Sequence, residues 1–351
     1  MEFQEHVALA PFTTLGVGGC ARWFVTATTE QEAAEALLLA RQRQLPVFVL
    51  GGGSNLLVSD RGFNGLVIHV ALRGIAQREL PDGKVLLQVA AGESWDALVQ
   101  YTVERNLAGM ECLAGIPGTV GGTPIQNVGA YGQDVSETIH TVRCLDVHDG
   151  TALEMSNTDC GFAYRTSLLN TADRGRFFVT RVDFALSPGG TPKLDYDDLK
   201  KRFATESSPS LVQVAEAVRA IRRGKGMVVD PGEPNSRSAG SFFRNPIVPA
   251  AALQHIADGL HVSVEQVPHW AAGEEQVKLP AAWLLERAGF VRGYALGDAG
   301  ISERHTLALI NRGGATAADL VALRDRIIGT VAARFGIQLE QEPVSLGEFM
   351  R

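Results

Sequence analysis

A run of three glycines followed by a serine and an asparagine is the first stretch whose residue types could do chemistry: Gly51, Gly52, Gly53, Ser54 and Asn55. Glycine lets the backbone take positive φ and come close to a ligand. Successive N–H groups turned inward form a nest for an anion such as a diphosphate, and the serine and asparagine side chains can add hydrogen bonds. A tight turn needs fewer glycines, so the run favours a phosphate site over a turn.

A second glycine-rich loop lies between Gly115 and Gly132. Its glycines allow backbone contact with a flat ligand, and Gln126 and Asn127 can read the polar edge of a ring. A purely structural Ω-loop explains this composition equally well. Together with the first loop, it indicates one extended cofactor that spans two parts of the fold.

Two familiar nucleotide-binding motifs do not apply to this chain. The stretch from Gly16 to Ala21 fits G-x-G-x-x-A by letter, but a strand is predicted after it, where that fingerprint requires a helix. The sequence contains no G-x-x-x-x-G-K-[ST] loop. A bound nucleotide is therefore expected to be held without a Rossmann or Walker loop.

The elements that must hold these loops follow from periodicity and capping signals. One helix is predicted to begin after Thr29, with Glu32 completing a capping box, and another to begin with Pro209 at its first position. The remaining helices are predicted at 93–106 and, capped by Thr316, at 317–335. Strands are predicted at 21–25, 46–50, 56–58, 66–70, 85–89, 142–147 and 177–186.

Seven stretches, in order over nearly the whole chain, resemble the UDP-N-acetylenolpyruvoylglucosamine reductase family. Three are similar to its FAD loops, one to its arginine motif, one to its serine motif and two to its remaining signatures. In that order they are 51–57, 116–122, 124–132, 162–167, 238–246, 278–283 and 339–342.

The resemblance implies an α+β fold, with a two-part FAD-binding module of the vanillyl-alcohol-oxidase (PCMH) type and a C-terminal α+β substrate-binding domain. Residues 1–75 and 76–228 are expected to form the two FAD-binding subdomains, and 229–338 the substrate-binding domain, with the tail at 339–351 packed back on the first. It implies non-covalent FAD and NADPH as hydride donor. The implied reaction converts UDP-N-acetylglucosamine enolpyruvate to UDP-N-acetylmuramate in peptidoglycan precursor synthesis.

The resemblance also implies the site residues. Arg165 matches the charge-stabilising arginine, Ser241 the proton donor and Glu342 a carboxylate that assists protonation. Tyr196 matches a tyrosine that closes over the substrate diphosphate in the longer class of the family. The other expected substrate contacts are Lys225, Arg244, Asn245 and Lys278. The expected cofactor contacts beyond the first loop are Ile116, Pro117, Gly118, Gly122, Ile125, Gln126, Asn127, Gly129, Tyr131, Gly132 and Arg222.

Without the resemblance, these residues have ordinary explanations. Arg165 fits a surface ion pair, Ser241 a helix cap or turn, and Glu342 a surface carboxylate. His305 is more simply structural. The sequence also departs from the family pattern, because Pro343 to Ser345 stand where many members carry an arginine shortly after the glutamate.

Bulk properties limit the alternatives. The formal charge of −7 is spread along the chain, which argues against nucleic acid or an anionic membrane as the main partner. No secretory signal and no span long enough for a bilayer is evident, and the four cysteines lack zinc or disulfide spacing. We therefore expect a cytoplasmic monomer with no bound metal.

Two rival functions stay open at this point. One is a flavin oxidase with the same cofactor fold, acting on an alcohol or a sugar. The other is a non-catalytic protein that binds FAD or a nucleotide sugar as a sensor. The oxidase would not need the serine, arginine and glutamate in these sequence contexts, and the sensor would bind its cofactor without turnover.

Overall fold

The structure is a computed structural model that describes residues 1–206 and 208–349. Over these residues the chain forms two compact units. The first consists of Met1–Val7, Ala21–Gly53 and Phe63–Gly224, and the second of Ala8–Cys20, Ser54–Gly62 and the described residues from Lys225 onward. The three-domain boundaries given by the resemblance stay a prediction.

The helices and strands carry the labels used below. The helices in the described part of the chain are α1 (Glu30–Gln42), α2 (Trp95–Glu104), α3 (Asp197–Arg202), α4 (Leu211–Gly224), α5 (Ala252–Leu260), α6 (Ala281–Arg287) and α7 (Ala317–Phe335). The strands are β1 (Gln4–Ala8), β2 (Cys20–Ala27), β3 (Val47–Leu50), β4 (Leu56–Val58), β5 (Phe63–Val70), β6 (Ile75–Glu79), β7 (Val85–Ala90), β8 (Leu107–Ala108), β9 (Gly129–Ala130), β10 (Gln133–Asp134), β11 (Ile139–Asp146), β12 (Ala152–Ser156), β13 (Phe177–Pro188), β14 (Ile247–Pro249), β15 (Trp270–Ala271), β16 (Gln276–Lys278), β17 (Ala295–Leu296), β18 (Ala299–Ile301), β19 (Leu309–Asn311) and β20 (Val344–Leu346).

Capping residues explain where two of the helices begin. Thr316 and Asp319 form a full capping box, and α7 covers the predicted range of residues. Thr29 caps α1 by accepting a hydrogen bond from the Glu32 N–H, as predicted. However, the Glu32 carboxylate accepts from the backbone and hydroxyl of Thr28, at 2.7 and 2.6 Å, so the second half of the predicted box is made one residue earlier.

The predicted start of α4 is wrong by two residues. The helix begins at Leu211, so Pro209 lies before it instead of at its first position. Ser210 and Gln213 explain the difference, because the Ser210 N–H donates to Gln213 Oε1 at 2.8 Å and the Gln213 N–H donates to Ser210 Oγ at 3.2 Å. These reciprocal bonds are those of an S-x-x-Q capping box.

Two sheets share one hydrophobic core in the first unit. The smaller has the order β1-β2-β5-β3, with β2 and β3 both parallel to β5. The larger has the order β12-β11-β13-β7-β6, all antiparallel, and β8 also pairs with β13. Leu37 of α1, Trp95 and Leu98 of α2 and Val218 of α4 are buried in the same core. The helices thus hold both sheets in one body.

The second unit is built from chain segments that are distant in sequence. Its sheets have the orders β14-β16-β15 and β17-β18-β19, and β20 pairs in parallel with β4. Phe242, Phe243 and Ile327 are buried in its core. The Asp60 carboxylate accepts hydrogen bonds from the N–H groups of Ala317 and Ala318, at 2.8 and 2.9 Å, and so stabilises the first turn of α7 from far away in the chain.

Candidate active site

The two glycine-rich loops predicted to share a ligand lie against each other in the first unit. A Cβ atom added to Gly52, directly after β3, would lie 2.6 Å from Gly118 Cα. One added to Gly51 would lie 2.8 Å from the Thr119 hydroxyl. Real Cβ contacts are not this short, so the close approach of the two backbones requires glycine at Gly52, whereas at Gly51 only the rotatable Thr119 hydroxyl stands in the way.

The 118–121 segment is fixed to the start of α2 by backbone hydrogen bonds. Trp95 N–H donates to the Gly118 carbonyl at 3.1 Å, and Gly121 N–H donates to the Ala91 carbonyl at 2.8 Å. Thr119 Oγ1 is buried between these bonds and has no hydrogen-bond partner among the described residues. A buried hydroxyl without a hydrogen bond lowers the stability of the fold. Residues 51–53 and 118–121, the glycine cradle, therefore fit a polar ligand such as the diphosphate of FAD.

The second half of the long loop contains two non-glycine residues in the left-handed backbone region. Asn127 has φ +44° and Tyr131 has φ +49°. The buried Asn127 carboxamide accepts from Ser136 N–H at 3.1 Å and donates to the Ala163 carbonyl at 3.0 Å. These bonds organise the loop itself. Strained backbones of this kind are concentrated at ligand sites.

Arg165 is held against that loop. Its own backbone is left-handed, with φ +56°. Its guanidinium donates to the carbonyls of Gly129 and Asn127, the latter at 3.3 Å, and lies 3.5 Å from an Asp134 carboxylate oxygen. Ser167 Oγ donates to the Ile125 carbonyl at 2.7 Å. The predicted arginine motif and second FAD loop therefore form one piece of structure.

Arg222 and Tyr196 both approach Tyr131. The buried Arg222 side chain donates from Nε to the Gly115 carbonyl at 3.1 Å, and burial lowers the pKa of its guanidinium. Burial also raises the pKa of the Tyr131 phenol to about 12. The rings of Tyr131 and Tyr196 meet edge to face, with centroids 5.2 Å apart. The expected cofactor arginine and substrate tyrosine therefore border the same aromatic side chain.

Glu111 is a buried carboxylate that sequence reasoning missed. It accepts from Gly109 N–H at 2.8 Å, from Lys193 N–H at 3.0 Å and from Gln133 Nε2 at 3.2 Å. It thereby joins three segments of the first unit beside the second loop. No local pattern marks it, because two of its three partners, Gln133 and Lys193, are distant in sequence.

In the second unit, the serine motif pairs with the segment that carries Glu342. Phe243 and Gln341 form an antiparallel bridge. Glu342 N–H donates to the Phe242 carbonyl at 2.9 Å. Ser241 is the residue next to Phe242, so it and Glu342 occupy neighbouring positions on adjacent backbone segments. Both are partly exposed, so both are within reach of a ligand.

The expected substrate-binding residues of the second unit differ in their surroundings. Arg244 Nε is buried and has no hydrogen-bond partner in the described part of the chain, which fits a site for an anion. Asn245 Oδ1 accepts from Ala281 N–H at 2.9 Å, at the start of α6. Lys278 Nζ lies 5.8 Å from the centroid of the Trp270 ring.

Lys225 and His305 also belong to the second unit. Lys225 is the first residue of the long last stretch of the second unit, directly after α4. His305 Nδ1 accepts from Leu307 N–H at 3.2 Å, which is a turn contact.

Arg165 lies in the first unit, whereas Ser241 and Glu342 lie in the second. Their grouping in one site therefore stays a prediction.

Comparison with known proteins gives the same family over nearly the whole chain. Residues 232–346 match the model of the C-terminal domain of UDP-N-acetylenolpyruvoylglucosamine reductase, and residues 21–156 match an FAD-binding domain. The reductase of Streptomyces coelicolor is 46% identical over 97% of this chain and 89% of its own length. That of Thermobifida fusca is 44% identical over 98% of both chains.

The chain belongs to the UDP-N-acetylenolpyruvoylglucosamine reductase family. The crystal structure of the family member from Thermus caldophilus superposes with a TM-score of 0.65 at 27% identity, covering 99% of this chain and 98% of that one. The predicted family and the α+β fold with an FAD-binding module are thus confirmed. None of the helices in the described residues is long and apolar enough to cross a membrane.

Proposed function

We propose that this protein reduces the enolpyruvyl ether of UDP-N-acetylglucosamine enolpyruvate to UDP-N-acetylmuramate, with FAD as cofactor and NADPH as hydride donor. The observation that carries the proposal is the backbone pairing of the 242–244 and 340–342 segments. It brings the expected proton donor, Ser241, beside the expected assisting carboxylate, Glu342. The names of the relatives support the same reaction.

The residues that would hold FAD are those of the glycine cradle and the second loop. Backbone N–H groups at 51–53 can face the diphosphate, and the unmet Thr119 hydroxyl can donate to it. A Cβ added to Gly129 would overlap the Asp134 carboxylate and lie 2.8 Å from Arg165 Nη1, so glycine leaves room for both side chains. The chemistry that FAD supplies when bound is two-electron hydride transfer, from NADPH to the methylene carbon of the enol ether.

The protein's own groups then manage charge and a proton. A hydride added to the methylene carbon leaves negative charge on the neighbouring carbon and on its carboxylate. Arg165 stays protonated and can stabilise this enolate-like charge. The Ser241 hydroxyl gives its proton to the neighbouring carbon, completing the C–H bond, and its oxygen takes a proton back from solvent. Glu342 holds the serine or a water in orientation for this transfer.

The nucleotide-sugar part of the substrate needs cations and donors. Lys225, Arg244 and Lys278 can bind its phosphates and carboxylate, and Asn245 can hydrogen-bond to it. Tyr196 is 42% exposed at the start of α3 and can close over the diphosphate. This assignment supports the longer class of the family. We also propose that it acts as a monomer in the cytoplasm, in peptidoglycan precursor synthesis.

An anaerobic mixing experiment tests the proposal. The purified protein should carry non-covalent flavin, NADPH should bleach its absorbance, and UDP-N-acetylglucosamine enolpyruvate should restore it. Bleaching without recovery would favour a different electron acceptor, and oxygen-dependent turnover of an alcohol or sugar would favour an oxidase. A protein that binds FAD but is not bleached by NADPH would fit a sensor. Light scattering after gel filtration tests the monomer.

A further inference from the structure

Backbone hydrogen bonds hold the segment that carries Glu342 at this residue and two residues after it. Glu342 N–H donates to the Phe242 carbonyl at 2.9 Å, and Val344 N–H donates to the Asn55 carbonyl at 2.9 Å. Pro343 has no N–H to satisfy, and a proline disfavours helical backbone at the residue before it. Glu342 is therefore restricted to an extended backbone by its own sequence neighbour.

The side chain of Gln341 binds the backbone on the C-terminal side of Glu342. Its Nε2 donates to the Pro343 carbonyl at 2.5 Å and to Ser345 Oγ at 3.0 Å, so the side chain spans the turn that follows Glu342. Its Oε1 accepts from Arg324 Nη1 of α7 at 3.0 Å. The carboxamide is thus oriented by a cation at one end and holds two residues of the turn at the other.

We propose that Gln341 is a positioning residue for Glu342. Arg324 fixes the carboxamide, and the carboxamide fixes the carbonyl of Pro343, so the backbone that carries Glu342 is held on its C-terminal side. The cation that orients Gln341 thus comes from α7, and none of residues 343–345 is an arginine. The inference rests on the proposed function, because it assigns Glu342 a part in protonation.

Kinetics provide the first test. Gln341→Ala should slow substrate-driven reoxidation of the flavin about tenfold, as expected for the loss of one well-placed hydrogen bond worth about 1.4 kcal/mol. Reduction by NADPH should stay within about twofold of the wild type. Gln341→Glu keeps the contact with Arg324 but loses the donor to the Pro343 carbonyl, so it should be as slow as the alanine variant. A wild-type rate for Gln341→Glu would overturn the proposal.

A double-mutant cycle separates positioning from general support. In a Glu342→Gln background, Gln341→Ala should have little further effect on reoxidation, because the group it positions has been removed. Fully additive losses would overturn the proposal. The matched control is Gln254→Ala, which removes an exposed contact from Nε2 to Asp258 at 2.8 Å on α5. This control should leave both half-reactions unchanged.

Hydrogen exchange tests the clamp independently of any reaction. In Gln341→Ala, the backbone N–H of Val344 should exchange faster than in the wild type, whereas the amides of α5 should not change. Unchanged exchange at Val344 would refute the clamp even if the enzyme turns over. Faster exchange in a protein whose flavin is not reoxidised by the substrate would instead keep the clamp and reject the proposed function.

Discussion

The contact between the two glycine loops makes a quantitative prediction at Gly52. This residue does not have a left-handed backbone, so alanine is tolerated conformationally and the only obstacle is space. Its Cβ would lie 2.6 Å from Gly118 Cα, 3.0 Å from Gly118 C and 3.2 Å from Thr119 N. Carbon atoms prefer separations of roughly 3.5–4.0 Å, so the loops must part by about 1 Å.

The expected size of the effect follows from this displacement. Backbone cannot rotate aside, and overpacking of this kind costs about 1–3 kcal/mol. If the strain is relieved by parting the cradle, Gly52→Ala should weaken FAD binding by about 5- to 150-fold. Gly51→Ala should lose less through loop contact, because its Cβ would meet only the terminal hydroxyl of Thr119, which can turn away.

Titration of the apoprotein with FAD, followed by flavin fluorescence, measures the loss, and urea unfolding of the apoprotein measures the strain separately. Gly329→Ala is the matched control, since no atom outside its own helix backbone lies within 4 Å of the added Cβ in α7. It should leave FAD affinity unchanged and stabilise the helix by about 0.5–1 kcal/mol. FAD affinity within threefold of the wild type in Gly52→Ala would refute the argument from the cradle.

Three further predictions concern single side chains. Ser241→Ala should leave NADPH-driven bleaching intact and slow substrate-driven recovery at least about 100-fold in stopped flow; a parallel loss of both would make the serine structural. Glu30 accepts two hydrogen bonds of 2.8 Å from Arg143. These bonds are the main reason why the pKa of Glu30 is below its ordinary value of 4.5. Its stabilisation is therefore present above about pH 4.5 and is lost as pH falls through the lower folded pKa. Glu30→Gln should flatten this acid limb in urea titrations, and an unchanged limb would contradict the assignment. Asp60→Ala should reduce the free energy of unfolding by about 1–2 kcal/mol, because two N–H groups of α7 lose their acceptor. A change within about 0.3 kcal/mol would show that solvent replaces it.

Capping residues and hydrophobic periodicity were sufficient to predict helices whose ends depend on neighbouring residues in the sequence. Helix α7 has a cap at Thr316 and a long amphipathic run, and its range was predicted from these two features. The start of α4 was missed although its signal is equally local. The prediction started the helix at Pro209 because proline is common at the first helical position. The reciprocal hydrogen bonds between Ser210 and Gln213 instead decide where the helix begins.

The glycine loops were also recognisable, but their use of side chains was not. The sequence indicated that Asn127 could read the edge of a ring. The structure instead commits its carboxamide to Ser136 and Ala163. Thr119 stands inside a recognised motif, yet only the packed loop reveals that its hydroxyl is buried and unmet. Burial depends on neighbours that the local sequence does not specify.

Contacts between distant segments were beyond sequence reasoning on the residues alone. The pairing of Phe243 with Gln341, the capping of α7 by Asp60 and the two long-range bonds to Glu111 join residues without any shared pattern. The resemblance implied that Ser241 and Glu342 act together, but it did not give the backbone pairing that brings them side by side. That pairing depends on the fold of the second unit.

The parallel pairing of β20 with β4 sets the order in which a nascent chain can mature. The ribosome has delivered all segments of the first unit by Gly224, so that unit can fold during synthesis. The second unit must wait, because β4 has no partner until Val344–Leu346 emerge. Glu342 lies two residues before the start of this strand. A prematurely terminated chain would therefore keep the glycine cradle but lack the carboxylate of Glu342. Strand β4 would also have no partner, and such an open strand edge exposes the chain to aggregation and quality control.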